Sequence, residues 1–316
     1  MLSTASLALF LGAASALTAS SGCGIPLAYN TMQGGTGSSN TVSLTSNGIS
    51  RTFLLHIPTN YDANSPRGLI FSYAGRGATA AQQEQLSSFS DPYFNEDLLA
   101  VYPQGVDNQF QGDPAATTND VQFTLDILDY VSGSYCIDTD RVFSSGKSNG
   151  GGFSLNILAC DEQASARFAA FSGCSGAYYQ ANAADGSCSP STVSITCSPS
   201  RPVPILEFHG SADPVIPYTG GERRGECLPA VDHFIQNWAY LDGLQASNVT
   251  QLYDGNVVET QYAYSDESAL GLVTNFWVNG LTHSWAATVP NGDSETPTYF
   301  NATSIIMDWF AQHPLK

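Results

Sequence analysis

Residues 141–160 read RVFSSGKSNGGGFSLNILAC and constrain the fold more than any other stretch. They contain Gly146-Lys147-Ser148-Asn149-Gly150, the only G-x-S-x-G in the chain. Arg141 to Ser145 predicts a short buried strand. Asn149 to Cys160 predicts a helix with Phe153, Leu155, Ile157 and Leu158 as its apolar positions. A strand, a tight turn and a helix are the context in which this motif raises a serine hydroxyl above a sheet. The turn tolerates only small neighbours, and the free N–H groups of the following helix point towards the hydroxyl.

The flanking segments extend this pattern. Thr41 to Ser46, Thr52 to Ile57, Gly68 to Tyr73, Leu98 to Tyr102, Val203 to Phe208 and Leu272 to Val278 alternate or run apolar and predict strands. Thr79 to Ser88 predicts a helix capped by Thr79. Asn119 to Ser132, Val231 to Leu241 and Thr303 to Gln312 predict further helices. Strands alternating with helices imply an α/β fold with a mainly parallel central sheet and helices on both faces. No linker or repeat divides residues 20–316, so one catalytic domain is expected. Residues 175–202 read as an insertion over the sheet edge.

Charge narrows the partners. The chain has 28 acidic and 10 basic residues and a net charge of −18, which excludes nucleic acid and anionic membranes as expected partners. At the N-terminus, Leu7 to Leu11 is a short apolar core followed by small residues. Residues 1–19 therefore read as a signal peptide, with exits at Ala16 or Ala19. No other run is long enough to span a bilayer. A secreted, extracellular protein follows, and a monomer is expected. Asn248 and Asn301 stand in glycosylation acceptor triplets.

Seven cysteines in an oxidising compartment favour pairing. Cys136 precedes the elbow strand and Cys160 ends the helix that returns beside it, so these two are expected to pair. Cys188 and Cys197 close a local loop, which leaves Cys23 for Cys227 and Cys174 unpaired. No C-x-x-C or His/Cys cluster points to a metal, and no cofactor is implied.

A serine hydroxyl needs a base to take its proton and a carboxylate to orient that base. In an open α/β sheet these groups lie beyond the carboxyl ends of strands, in the order serine, acid, histidine. Of the five histidines, His56 lies inside a strand, His233 on a helix and His313 at the C-terminus. His209 follows a strand but precedes every acid candidate. His283 lies five residues beyond the strand ending at Val278. Asp213 follows the strand ending at Phe208 by a short turn. The expected triad is Ser148, Asp213 and His283. The backbone N–H groups of Asn149 and Arg76 are the expected oxyanion donors, with Gly75 and Gly77 letting the second loop come close. Phe153, Tyr218 and Trp285 are candidates for the acyl pocket.

Several motifs together resemble secreted fungal feruloyl esterases, a carbohydrate esterase group related to polyhydroxybutyrate depolymerases. They are Ser-Gly-Cys-Gly at 21–24, Tyr-Pro-Gln-Gly-Val-Asp at 102–107, Tyr-Cys-Ile-Asp-Thr-Asp-Arg-Val at 135–142, Gly-Lys-Ser-Asn-Gly-Gly-Gly-Phe at 146–153 and Ile-Pro-Tyr-Thr-Gly-Gly at 216–221. The resemblance implies an α/β-hydrolase that releases ferulic and related hydroxycinnamic acids from feruloylated plant cell-wall polysaccharide or oligosaccharide. It carries Ser148, Asp213 and His283 over as the triad. Ala74-Gly75 stands where the resemblance leads one to expect His-Gly. Acetylxylan esterase and polyester depolymerase are alternatives on the same triad. A secreted carbohydrate-binding protein without catalysis is the alternative of another class.

Overall fold

The computed structural model describes residues 17–315. The expected signal peptide falls mainly on residues 1–16, outside the described residues. In chain order the strands and helices begin with β1 (Asn40–Ser46), β2 (Ile49–His56), β3 (Arg67–Tyr73), α1 (Ala80–Ser87), β4 (Leu99–Pro103) and α2 (Asp120–Ser134). Next come β5 (Ile137–Gly146), α3 (Asn149–Gly152), α4 (Glu162–Arg167), β6 (Ala170–Cys174), β7 (Ile205–Gly210), β8 (Gly221–Arg223) and β9 (Glu226–Leu228). The chain ends with α5 (Val231–Leu241), β10 (Ala246–Leu252), β11 (Val257–Ala263), β12 (Val273–Val278) and α6 (Ala302–Gln312).

Among the described residues, ten strands form one sheet in the order β1-β2-β4-β3-β5-β6-β7-β12-β11-β10. The centre, from β4 to β12, is parallel, and each flank is an antiparallel pair. Strand β3 shows how the layers are built. Its Leu69, Phe71 and Tyr73 face one core with α2 and α5, while Ile70 faces a second core with α1 and α6. That two-residue period, apolar on both faces, is what a doubly covered strand requires. Buried anchors such as Trp238 and Phe234 of α5 each stabilise the fold by about 1.5–3 kcal/mol.

Thr79 does cap α1: its side chain accepts from the Gln82 N–H, and Gln82 reaches back to the cap. The expected helix after the elbow is regular only through Gly152. From Phe153 to Leu158 it widens to a π-turn, with the Ala159 N–H bonding the Ser154 carbonyl at 3.0 Å. The five-residue spacing of buried Phe153 and Leu158 fits this wider turn.

The disulfide expectations are corrected. All six candidate cysteines are bridged, but the pairs are Cys23–Cys136, Cys160–Cys197 and Cys188–Cys227. Cys136 is claimed by the N-terminal segment, which lies along the start of β5. There the Ser20 N–H bonds the Ile137 carbonyl at 2.8 Å and the Gly22 N–H bonds Ser132 at 2.9 Å. Cys160 and Cys188 face residues brought near by long-range folding, which local spacing does not reveal. Cys174 is free and buried.

The 175–202 insertion is also corrected. It leaves β6 and returns to β7, which are neighbours at the centre of the sheet rather than at its edge. Tyr178 stacks on Phe234 with ring centroids 3.8 Å apart, and two of the bridges pin the insertion to the body.

One buried acid next to this insertion gives a stability prediction. Asp242, at the end of α5, accepts from the Val203 N–H at 3.1 Å, but its Oδ2 is buried without a partner among the described residues. Burial pushes its pKa from 3.8 up to about 7, against the pull of the Val203 N–H and the charge of Arg201. The native state therefore binds this proton more tightly than the unfolded chain. The associated stability is present at acid pH and lost as pH rises towards 7. Asp242→Asn is expected to melt several degrees above the parent at pH 8 and close to it at pH 4. Calorimetry showing the same shift at both pH values would contradict this.

Candidate active site

Strands β3 and β5 are neighbours, yet the chain reaches β4 on one side of β3 and then β5 on the other. That reversal opens a crevice at their carboxyl ends, where open α/β sheets bind ligands. Ser148 follows β5 at this point, with φ 57° and ψ −119°. A non-glycine residue held there is strained. The flanking glycines are demanded by contact. A Cβ on Gly146 would lie 2.3 Å from the Gly150 backbone, and one on Gly150 would lie 2.2 Å from the Tyr73 carbonyl oxygen. The motif is thus a consequence of how tightly the turn is pressed against β3.

The three side chains expected from the sequence meet in line. His283 Nε2 is 2.8 Å from Ser148 Oγ, and His283 Nδ1 is 2.7 Å from Asp213 Oδ2. The other oxygen of Asp213 accepts from the Val215 and Ile216 N–H groups, both at 2.8 Å, which fixes the carboxylate. Burial alone would raise the Asp213 pKa. The hydrogen bond and charge of His283, the Ile216 N–H and the charge of His209 outweigh it, so Asp213 sits below its ordinary value. The His283 pKa is also lowered. Burial is the main cause, assisted by the charges of Lys147 and His209 and opposed by Asp213. A neutral imidazole with its Nδ1–H on a carboxylate and its Nε2 lone pair on a hydroxyl is a proton acceptor in position to work.

The expected oxyanion donors are the N–H groups of Arg76 and Asn149. A Cβ on Gly75 would stand 3.3 Å from the Ser148 Cβ, so the loop after β3 runs directly past the serine. Among the described residues neither the Arg76 nor the Asn149 N–H has an acceptor. The Asn149 side chain braces the opposite loop, accepting from the Phe110 N–H at 2.8 Å and donating to the Phe110 carbonyl at 3.0 Å.

A cleft of about 780 Å³ opens over Ser148 and His283. Of the three pocket candidates, Trp285 lines it. Phe153 is buried in the core against Tyr73 and Phe110. Tyr218 is tied to Asp232 at 2.6 Å and to Asn275, away from the cleft. Asn248 is exposed on edge strand β10. Asn301 lines the cleft, with its Oδ1 accepting from the Thr288 N–H at 2.9 Å. Among the described residues, no cluster of three metal-ligating side chains exists and no helix is long and apolar enough to cross a membrane.

Sequence reasoning missed a buried layer beneath the triad. His209 lies within β7, not after it, and both its ring nitrogens face acceptors. Nδ1 is 2.8 Å from Glu207 Oε1, and Nε2 donates to the Ile216 carbonyl at 2.8 Å. Burial would lower the His209 pKa, but Glu207 and the two hydrogen bonds raise it overall. The Ile216 whose carbonyl is held this way also donates its N–H to Asp213. His209 thereby positions the turn that orients the acid. The signal was the two-residue spacing of Glu207 and His209, polar groups facing the same way in an otherwise apolar strand.

No protein-family model matches the chain. Feruloyl esterase B of Piromyces equi is 29% identical over 247 residues, covering 74% of this chain and 42% of that protein. Feruloyl esterase D of Neurospora crassa is 34% identical over 199 residues, covering 56% of this chain and 65% of that protein. The matches therefore span between two fifths and two thirds of these relatives' lengths. Among solved structures, the acetyl xylan esterase from Aspergillus awamori superposes with a TM-score of 0.55 at 14% identity, over 87% of this chain and 99% of that one. The chain is thus a homologue of fungal feruloyl esterases, built on the fold of a solved acetyl xylan esterase.

Proposed function

We propose that this protein is a secreted α/β-hydrolase that cleaves hydroxycinnamate esters of plant cell-wall polysaccharide. The observation that carries the reading is the unbroken hydrogen-bonded line from Ser148 through His283 to Asp213 at the carboxyl ends of β5, β12 and β7. Names of relatives support the ester class, and the three disulfides fit an oxidising compartment. In this account Ser148 Oγ attacks the ester carbonyl while His283 takes its proton. The oxyanion forms against the Arg76 and Asn149 N–H groups. His283 then returns the proton to the leaving alkoxide. Water, activated by the same imidazole, releases the hydroxycinnamate from Ser148. Asp213 holds the imidazolium throughout. Ala74 is buried, and the loop it begins contributes backbone rather than a side chain to this chemistry.

The test is hydrolysis of methyl ferulate and of an acetyl ester by the parent protein and by Ser148→Ala. Parent-only cleavage with preference for methyl ferulate supports the proposal. Preference for acetate would move the substrate to acetylated xylan, and no cleavage of either would leave a binding protein. The lowered pKa of His283 sets the pH profile, because only the neutral imidazole accepts the proton. The acid limb of kcat/KM is expected to have its midpoint below 6.5. A midpoint above that value would contradict the burial argument.

A further inference from the structure

The cleft is charged in the opposite sense to the rest of the molecule. The chain carries 28 acidic and 10 basic residues, yet Arg76, Lys147, Arg223 and Arg224 line the cleft against only Asp113 and Asp293. Lys147 and Asp293 neutralise one another, Nζ to Oδ2 at 3.2 Å. Two of the three guanidinium groups, those of Arg76 and Arg224, then share one carboxylate. Buried Asp113 has one oxygen 3.5 Å from Arg76 Nε and the other 3.2 Å from Arg224 Nη2. It clips the loop after β3 to the β8–β9 hairpin and holds both guanidinium groups at the rim. Arg223 Nε, on the same hairpin, is buried without an acceptor among the described residues.

The clip between the two loops uses Arg76 and Arg224, and three arginines against the one carboxylate leave two positive charges in excess. The excess positive charge is concentrated where a low-dielectric cleft focuses its field on an entering ligand. The remaining lining divides by chemistry. Leu86, Phe94, Trp285, Val289 and Pro290 supply apolar surface suited to an aromatic acyl group. Planar, forked donors match a carboxylate.

We infer that the arginine rim formed by Arg76, Arg223 and Arg224 binds a carboxylate on the alcohol side of the substrate, so that the preferred esters are those of uronate-bearing saccharides. This rests on the esterase reading of Ser148 and adds the charge of the leaving group to it.

The test compares carboxymethyl ferulate with carbamoylmethyl ferulate, esters of nearly equal shape that differ by one negative charge. The ratio of their kcat/KM values is measured for the parent, Arg224→Gln and Arg224→Lys, at low and high salt. The change in ratio between proteins cancels the intrinsic reactivity of the two esters. Arg224→Gln is expected to lower the carboxymethyl preference by about 10-fold, the scale of one charge-assisted hydrogen bond. Arg224→Lys is expected to retain most of that preference, and salt to erode it in the parent. A ratio that neither salt nor Arg224→Gln changes would overturn the inference, leaving the arginines to structure or to neutral hydroxyls. Cleavage of neither ester, nor of methyl ferulate, would instead remove the esterase reading beneath it.

Discussion

Ser148→Ala is expected to lower kcat/KM on methyl ferulate by about 10⁵-fold while leaving the fold intact. The loss is large because, among the described residues, no other hydroxyl is placed on His283, whose Nε2 lies 2.8 Å from Ser148 Oγ. His283→Ala should cost a similar factor, and the double variant little more, since the two act as one unit. Ser148→Gly should be equally inactive but more stable than the parent, by about 1–3 kcal/mol. The backbone there has φ 57°, which a Cβ resists and glycine accepts. Thermal melting alongside the kinetics checks both halves. Retained turnover in Ser148→Ala would remove the serine from the chemistry. A Ser148→Gly variant no more stable than the parent would remove the strain argument.

The second large effect is expected at Gly150. A methyl group there would meet the Tyr73 carbonyl oxygen at 2.2 Å and the Ala74 oxygen at 2.6 Å. Neither atom is the end of a flexible side chain, so β3 and the elbow must separate. Gly150→Ala should destabilise by about 3 kcal/mol, the upper end of an overpacking effect. It should also cut kcat about 100-fold, because the Arg76 loop and Ser148 would move apart by a fraction of an ångström or more. Gly133→Ala is the control. It lies on the exposed side of α2 with nothing within 4 Å of the added carbon, and should stabilise by about 0.5–1 kcal/mol. Denaturant melts of the two variants decide the matter. Equal stability would mean that the glycine at 150 is not dictated by packing.

Local chemistry made much of this protein legible. Helix α5 has the bounds its apolar period predicts, Val231–Leu241, because an amphipathic segment on a packed face leaves little freedom. The meeting of Ser148, His283 and Asp213 was readable because each follows a parallel strand by a short turn, and the fold brings those ends together. Strands β10 and β11 were not read. The first lies at the sheet edge with mostly exposed residues, so no buried face imprinted a two-residue pattern. Cysteine pairing failed for a related reason. Cys23 and Cys136 are 113 residues apart, and nothing local records that the N-terminal segment lies along β5. The charges of the cleft, from Arg76 through Asp113 to the β8–β9 hairpin, likewise depend on loops that meet only in three dimensions.

The most direct measurement is the site of covalent capture by a serine-directed organophosphate such as diethyl 4-nitrophenyl phosphate. Peptide mass mapping is expected to find one diethylphosphoryl group, on Ser148, with loss of esterase activity in proportion. The same adduct should form at least about 100-fold more slowly in His283→Ala, which lacks the proton acceptor. Inactivation with the group on another residue, or full activity with Ser148 blocked, would contradict the account.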